Sequence, residues 1–440
     1  MTMMKFRKST SASFLCLCAL LVTCTAAAAK NATDDDRLTK AVEETALTKL
    51  RLLHVLAINR FYVPNYDEES MQNLTDKSSN SSIYENGKNV SYTKKAFELP
   101  KNLSYEYFLE NALLIPNPVK EQLYELGVQL RQQYSAFLND IYMDERMKAH
   151  TNEFPVSQMA GELVNAGLYP PVREQIWNAD LMWQPIPFEY RMKNEDIFMI
   201  GTTCPRFKRE TEAVLNLHAK EKSKLMEFLH AQNITVKSPI DISLLYLALA
   251  NVMDLNQASV PDWVPSKLGE LKNASLDGYR LLSKTTLQQQ LNGGAFLKRI
   301  VDDSRKFING SLPGRQITAY SGDERLFYGV MDILGMPAFE LPNSGSALVF
   351  ELVSRGEQYF MKVLFYLGPD SEDIWLALDL QMGNSTTLTP LDVFEKNIEY
   401  ALPSGDPKKL CSGASSLISN FFLICGLLAL LSRVVNCTSE

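Results

Sequence analysis

The stretch Arg51-Leu52-Leu53-His54-Val55-Leu56-Ala57 is a short, almost continuous apolar run near the start of the chain. A run of this length that ends before Pro64 predicts a buried strand of a largely parallel sheet. His54 lies in the middle of the run, so we predict that its imidazole packs in the core.

The pattern changes twice after this strand. Residues 70–104 are rich in Asn, Ser, Lys and Tyr, which predicts a long surface loop. Apolar and charged residues at helical spacing then predict helices over residues 119–138, 208–232, 241–255 and 291–308. β-Branched and aromatic runs predict strands over residues 316–320, 347–352, 359–367 and 373–380. Strands on both sides of a helical middle predict an α/β fold interrupted by a helical insert.

The N-terminal segment, residues 1–29, has the order of a cleavable signal peptide. Three basic residues precede an apolar run that ends in the small residues Ala26 to Ala29. We therefore predict that the mature chain starts near Lys30.

The C-terminal segment, residues 410–432, contains no charged residue. At about 1.5 Å per helical residue it is long enough to span a bilayer, which predicts a transmembrane helix followed by a short tail, residues 433–440. Two alternatives stay open. Ser412 to Ala414 would also suit a lipid-anchor signal, and the segment would also suit a buried hydrophobic tail.

Nine Asn-X-Ser/Thr acceptors are spread over the region between these ends, and in a chain with a signal peptide they predict N-glycosylation. They are Asn31, Asn73, Asn80, Asn89, Asn102, Asn233, Asn273, Asn309 and Asn384.

Cysteine usage and charge narrow the class of protein further. Three of the seven cysteines lie in the signal peptide, and Cys425 and Cys437 lie within or after the membrane segment. This leaves Cys204 and Cys411 as candidates for a disulfide in an oxidising compartment. The net charge of −7 argues against nucleic-acid binding, which requires a basic surface. Residues 30–405 suit one large domain with an insert, or two domains.

Several strings resemble the histidine acid phosphatases in order and spacing, over about residues 50–400. They are Ala166-Gly-Leu-Tyr-Pro-Pro171, Met182-Trp-Gln-Pro-Ile-Pro187, Cys204-Pro-Arg-Phe207, Ala319-Tyr-Ser-Gly322, Ser346-Ala-Leu-Val-Phe-Glu-Leu352 and Tyr359-Phe-Met-Lys362.

The resemblance implies a sheet flanked by helices, with a helical cap, roughly residues 165–295, over a phosphate pocket at the strand ends. The family's chemistry needs an Arg-His-Gly-X-Arg-X-Pro string, in which the histidine attacks phosphorus and the arginines hold the phosphate oxygens. Family members often pair as dimers, which implies a homodimer here. Their disulfide framework is largely absent, and the resemblance leaves Cys204 without its usual partner.

The catalytic string is replaced in this chain. Counting back from Pro64, Ile58 takes the place of the first arginine, Asn59 that of the nucleophilic histidine and Tyr62 that of the second arginine. An amide nitrogen has no available lone pair, so Asn59 cannot form a phosphoenzyme.

Four later positions differ from the family pattern in the same way. His150 falls on the later phosphate-holding arginine, Glu189 on the second pocket histidine, and Asp323-Glu324 on the family's His-Asp pair. One like-charge contact at 4 Å costs about 4 kcal/mol at an effective dielectric near 20. We therefore expect phosphate to be repelled.

The sequence thus predicts a glycosylated, membrane-anchored pseudophosphatase that binds a protein or a small molecule of unknown identity and needs no cofactor. Its location would be the secretory pathway, at the cell surface or a lysosomal or endosomal membrane, with the bulk of the chain lumenal or extracellular. Two alternatives remain. One is an acid phosphatase with His150 as nucleophile and Glu324 as acid. The other is a metal or cationic-ligand site formed by Glu189, Asp323, Glu324 and His150, although we expect no metal.

Overall fold

A mixed β-sheet runs through the chain and carries helices on both faces. The computed structural model describes residues 48–58, 115, 117–192, 195–196, 198–218, 224–254, 260–336, 342–368, 375–380 and 387–412. The strands of the sheet are β1 Thr48–Ile58, β2 Met147–Asn152, β3 Phe188–Arg191, β4 Ile317–Gly322, β5 Ala347–Arg355, β6 Gln358–Tyr366, β7 Trp375–Ala377 and β8 Thr389–Pro390.

The strand order is β3-β2-β4-β1-β5-β6-β7, and β8 pairs with β6. Strands β1 and β2 each pair in parallel with β4, and β2 pairs in parallel with β3. Strand β6 is antiparallel to β7 and β8. The α/β fold class predicted from the sequence is therefore confirmed.

The helices lie mostly between the strands in the chain. They are α1 Asn117–Gln133, α2 Pro155–Leu168, α3 Ile200–Thr203, α4 Pro205–His218, α5 Lys224–Ala231, α6 Pro239–Asp254, α7 Val264–Arg280, α8 Thr286–Gln289, α9 Ala295–Ile308, α10 Glu324–Ile333, α11 Leu391–Ile398 and α12 Pro407–Ser412. A π-helical turn, Gln290–Gly294, joins α8 to α9, and 3-10 turns cover Arg173–Gln175, Leu281–Ser283 and Glu399–Ala401.

The two sheet faces bury different clusters, because alternate residues of a strand point to opposite faces. Leu52, Leu56 and Ile58 of β1 pack with residues of α6, α7, α9 and α10. Leu53 and Val55 pack with residues of α1 and α2 on the other face. Helices α1 and α2 approach closely at Gly127 and Gly167, where an added Cβ would overlap the backbone of the other helix.

The structure groups Thr48 and Lys49 with residues 354–358 in a small unit, and the other described residues form the larger one. In the small unit, Arg355 Nε donates a hydrogen bond of 2.9 Å to Thr48 Oγ1. The residues discussed below belong to the larger unit.

Most elements predicted from the sequence are present in the structure, with some differences in number and bounds. The run at residues 51–57 forms most of β1, and His54 is buried in it as predicted. The single helix predicted over residues 208–232 corresponds to two helices, α4 and α5. Of the strand predicted at residues 373–380, the structure describes β7, Trp375–Ala377. Strand β3 lies inside the range 165–295 that was assigned to a helical cap, and mainly helical structure begins after it, at Ile200.

Several predicted segments lie outside the described residues. These are the signal peptide, the loop at residues 70–104, and all but the first three residues of the segment 410–432. Within the part of the chain that the structure describes, no helix is both long and apolar enough to cross a bilayer.

Candidate functional site

Four strands bring one residue each into a single row across the sheet. Leu56 of β1 is paired with Tyr320 of β4, Tyr320 with His150 of β2, and His150 with Glu189 of β3. Two of the predicted pocket positions, His150 and Glu189, are therefore direct neighbours. Because the strands are parallel, their carboxyl ends lie at the same edge of the sheet, where open α/β sheets place ligand sites.

A cavity of about 580 Å³ opens beside this row. Its volume lies within the range of about 300–1,000 Å³ that is typical of small-molecule sites. The lining comes from β2 and β3, from the segment after β3, from α9 and β4, and from the C-terminal segment that carries Asp406 and Lys408. The cavity therefore joins parts of the chain that are far apart in sequence.

His150 is held between a tyrosine ring and a carboxylate. Its imidazole stacks on Tyr320 with ring centroids 5.0 Å apart, and Nδ1 lies 3.7 Å from Glu189 Oε2. Burial lowers the pKa of His150 to about 4, although the neighbouring Glu189 carboxylate opposes this shift. The imidazole is therefore neutral at mildly acidic and neutral pH. The cationic partner of Glu189 is Lys148, whose Nζ lies 3.2 Å from Glu189 Oε1.

Arg299 and Asp303 of α9 form an ion pair that His54 of β1 approaches. Arg299 Nε donates to Asp303 Oδ2 at 2.7 Å, and His54 Nε2 lies 3.5 Å from the same oxygen. Burial alone would raise the pKa of Asp303, but His54 and Arg299 together hold it well below its usual range. Burial also lowers the pKa of His54, so its imidazole stays neutral beside a charged carboxylate. Arg299, which lines the cavity, therefore already has the Asp303 carboxylate as its anionic partner.

Asp196 is a buried carboxylate in the cavity lining. Its Oδ1 accepts a hydrogen bond of 2.9 Å from the backbone N–H of Phe198. Burial raises the pKa of Asp196 to about 6. The Phe198 hydrogen bond opposes the shift, and the nearby Asp323 carboxylate adds to it.

Asp323 and Glu324 take a different position from His150 and Glu189. Both are buried at the start of α10, where Asp323 Oδ1 accepts the Leu326 N–H at 2.9 Å and caps the helix. Neither is among the residues that line the cavity in the described part of the chain. The structure therefore does not bring the four predicted donors into one constellation, and the described residues contain no group of three or more His, Cys, Asp or Glu arranged to hold a metal ion.

Of the three positions in the replaced catalytic string, Ile58 is described and Asn59 and Tyr62 lie outside the described residues. Ile58 is the last residue of β1 and is fully buried in the core. Its N–H donates to Ser346 O at 2.9 Å and its carbonyl accepts from Gly345 N at 3.0 Å.

A disulfide joins Cys204 to Cys411, with Cα atoms 5.3 Å apart. The structure thus joins the two cysteines that the sequence offered as candidates for a disulfide, and Cys411 is not the partner usual in the family. Arg206 Nη1 also donates to Leu410 O at 3.3 Å, so α12 is fixed against the start of α4. These contacts hold the segment that supplies Asp406 and Lys408 to the cavity.

Of the nine predicted glycosylation sites, Asn233, Asn273 and Asn309 are described, and all three are exposed. The other six lie outside the described residues.

Sequence reasoning missed Arg299, Asp303, Asp196 and Lys408 as site residues. Arg299 and Asp303 are spaced four apart in a charged helix, a pattern that usually marks a solvated face. The apolar residues around Asp303 in α9 were the one available signal that this carboxylate is buried.

Comparison with known proteins identifies relatives of this chain. No family model matches the sequence. The chain is 30% identical over 331 residues to the venom acid phosphatase Acph-1 of Apis mellifera, which covers 72% of this chain and 82% of the relative. It is 25% identical over 313 residues to the prostatic acid phosphatase of Mus musculus, with 67% and 79% covered. It is also 25% identical over 312 residues to the lysosomal acid phosphatase of Pongo abelii, with 67% and 71% covered.

Solved structures share the fold at low sequence identity. The phytase of Hafnia alvei in complex with tartrate matches with a TM-score of 0.52 at 12% identity, over 83% of this chain and 99% of the phytase. A phytase of Klebsiella sp. ASR1 matches with a TM-score of 0.52 at 11% identity, over 81% and 98%.

Proposed function

Because this chain belongs to the histidine acid phosphatase family, we propose that it is a non-catalytic member that binds a ligand in the cavity and does not transfer phosphate. The observation that carries this proposal is the lack of charge on the His150 imidazole. It stands where the family resemblance implies a phosphate-holding arginine, and its neutral imidazole beside the Glu189 carboxylate offers no permanent positive charge.

The nucleophile position supports the same conclusion. Asn59 stands where the resemblance implies the attacking histidine, and its amide nitrogen is not a nucleophile. Without a phosphoenzyme, the carboxyl group of Glu324 has no leaving group to protonate.

The charge of the cavity also disfavours a phosphate monoester. Among the described lining residues, four carboxylates (Glu189, Glu195, Asp196, Asp406) stand against three permanent cations (Arg191, Arg299, Lys408). Arg299 is already paired with Asp303 at 2.7 Å. A phosphate dianion would therefore enter a site with no surplus positive charge.

The direct test is hydrolysis of p-nitrophenyl phosphate by the purified protein between pH 4 and pH 7, with an active acid phosphatase assayed in parallel. We expect no turnover above the blank. Turnover that is lost on Glu324→Gln would refute the proposal.

An acid phosphatase with altered catalytic residues is the second candidate. It is favoured by the acid phosphatase relatives and by the neutral imidazole of His150 in the cavity, because an unprotonated imidazole is the nucleophilic form. In that case the protein would hydrolyse the aryl phosphate and His150→Ala would abolish the activity. A lack of turnover in the wild type removes this candidate.

We further propose that the protein is a glycosylated, membrane-anchored protein of the secretory pathway. The names of its relatives, venom, prostatic and lysosomal acid phosphatase, support the pathway, as do the exposed Asn233, Asn273 and Asn309 and the disulfide. Treatment with an N-glycanase should increase the mobility of the expressed protein on a gel. Release from membranes by a phosphatidylinositol-specific phospholipase would identify a lipid anchor, and resistance to both this enzyme and alkaline carbonate would identify a transmembrane helix.

A further inference from the structure

One wall of the cavity combines carboxylates with aromatic rings. It is formed by β3 and the segment just after it. The lining residues of this wall include three carboxylates, Glu189, Glu195 and Asp196, and the aromatic residue Phe198, whose ring centroid lies 5.5 Å from that of Tyr320, another lining residue. The ring of Phe188 packs on the opposite face of the sheet, against α2. Aromatic faces carry a negative quadrupole, so both kinds of side chain attract positive charge.

Asp196 is the most buried of the three carboxylates in this wall. The residue is only 6% exposed, yet it lines the cavity. Within the described chain, the one hydrogen bond of its side chain is the contact of 2.9 Å from the Phe198 N–H to Oδ1. This carboxylate has one neutral hydrogen-bond donor, and electrostatic interaction with Arg325 and Arg191 offsets part of its charge, so a ligand cation would complete the compensation.

The cations in the cavity lining do not fill this role. Arg299 is matched by Asp303, and His150 is neutral. Arg191 and Lys408 are exposed, so their charges are screened by water and salt.

We propose that the cavity binds a small organic cation, with its ammonium nitrogen on Asp196 and its carbon atoms against the rings of Phe198 and Tyr320. This inference rests on the proposed non-catalytic function and adds the chemical class of the ligand. Primary and quaternary ammonium compounds fit the combination of a carboxylate with these two aromatic rings. A divalent metal ion does not fit, because it needs several oxygen ligands and the described residues offer no such group.

The test is calorimetric titration of the full-length protein at pH 7 with ethanolamine, tetramethylammonium and inorganic phosphate. We expect saturable binding of at least one ammonium compound and weaker binding of phosphate. Asp196→Asn should weaken ammonium binding about 10- to 100-fold, the range for losing a hydrogen bond to a charged group. Asp262→Asn changes an exposed aspartate outside the cavity lining and should have no effect.

Two further measurements do not depend on the folding of the Asp196 variant. Glu195→Gln changes an exposed residue of the same wall and should weaken binding by a smaller factor. In the wild type, affinity should rise between pH 5 and pH 7 as Asp196 ionises, with Arg191, Asp323 and Arg325 as the charged groups that influence it.

The inference is overturned if no ammonium compound binds, if Asp196→Asn leaves the affinity unchanged, or if phosphate binds more tightly than the ammonium compounds. Each of these results leaves the non-catalytic proposal intact. Only turnover of the aryl phosphate refutes that proposal, so the two failures are distinguishable.

Discussion

Asp303→Asn tests whether the ion pair of Arg299 and Asp303 stabilises the fold. The Asp303 carboxylate is buried and lies 2.7 Å from Arg299 Nε, 3.4 Å from Lys306 Nζ and 3.5 Å from His54 Nε2. An amide keeps the shape of the side chain and removes its charge. The two cations would then lose the carboxylate that they share.

The expected loss in the free energy of unfolding depends on how exposed each partner of Asp303 is. Removing one member of a fully buried ion pair costs about 3–5 kcal/mol. The Arg299 side chain is 40% exposed, so water can solvate part of its freed charge. We therefore expect the free energy of unfolding to fall by about 2–3 kcal/mol, below the fully buried value.

The pH dependence has a defined sign. The folded pKa of Asp303 is depressed, so its contribution is complete above the unfolded aspartate pKa of about 3.9 and is lost as the pH falls further. The stability difference between wild type and Asp303→Asn should thus be constant between pH 5 and pH 7 and shrink below about pH 4.

Urea denaturation followed by circular dichroism measures this difference. Asp302→Asn is the matched control, because Asp302 is the preceding residue in α9 and pairs with Lys298 at 2.8 Å on the exposed side. That variant should lose less than about 1 kcal/mol. Equal losses in the two variants, or a difference that grows below pH 4, would refute the reasoning.

Three further predictions concern the disulfide, the imidazole at the cavity and the exposed apolar surface. Cys204→Ser should lower the free energy of unfolding by about 2–5 kcal/mol, because the bridge to Cys411 closes a loop across 207 residues; dithiothreitol should destabilise the wild type and leave the variant unchanged. Since the folded pKa of His150 is lowered from 6.5 to about 4, wild-type stability should fall as the pH drops through this interval, and His150→Gln should remove about 3 kcal/mol of that loss; identical pH profiles would contradict the assignment. Trp177 is 59% exposed in the segment that precedes the edge strand β3 in the chain. If the chain pairs as its family resemblance implies, Trp177→Glu should shift the sedimenting species from dimer to monomer, whereas Leu217→Glu at another exposed position should not.

The sequence was sufficient for features that depend on local pattern. The run at residues 51–57 predicted β1, because a short apolar stretch between polar segments has to be buried. The strings around Pro171, Pro187 and Gly322 indicated the family without any structural information. Strands β2 and β3 were missed because their polar residues, such as Lys148 and Arg191, interrupt the apolar alternation.

The contacts between charged side chains could be known only from the tertiary structure. Arg299 and Asp303 look like a surface pair in the sequence, and packing of α9 against the sheet turns Asp303 inward to His54. Asp196 and Lys408 come to one cavity because the strand order places β3 at the sheet edge and the disulfide fixes the C-terminal segment. The physical reason is that a strand's side-chain period is local, whereas its neighbours, and so the burial and pKa of each charge, depend on contacts between distant parts of the chain.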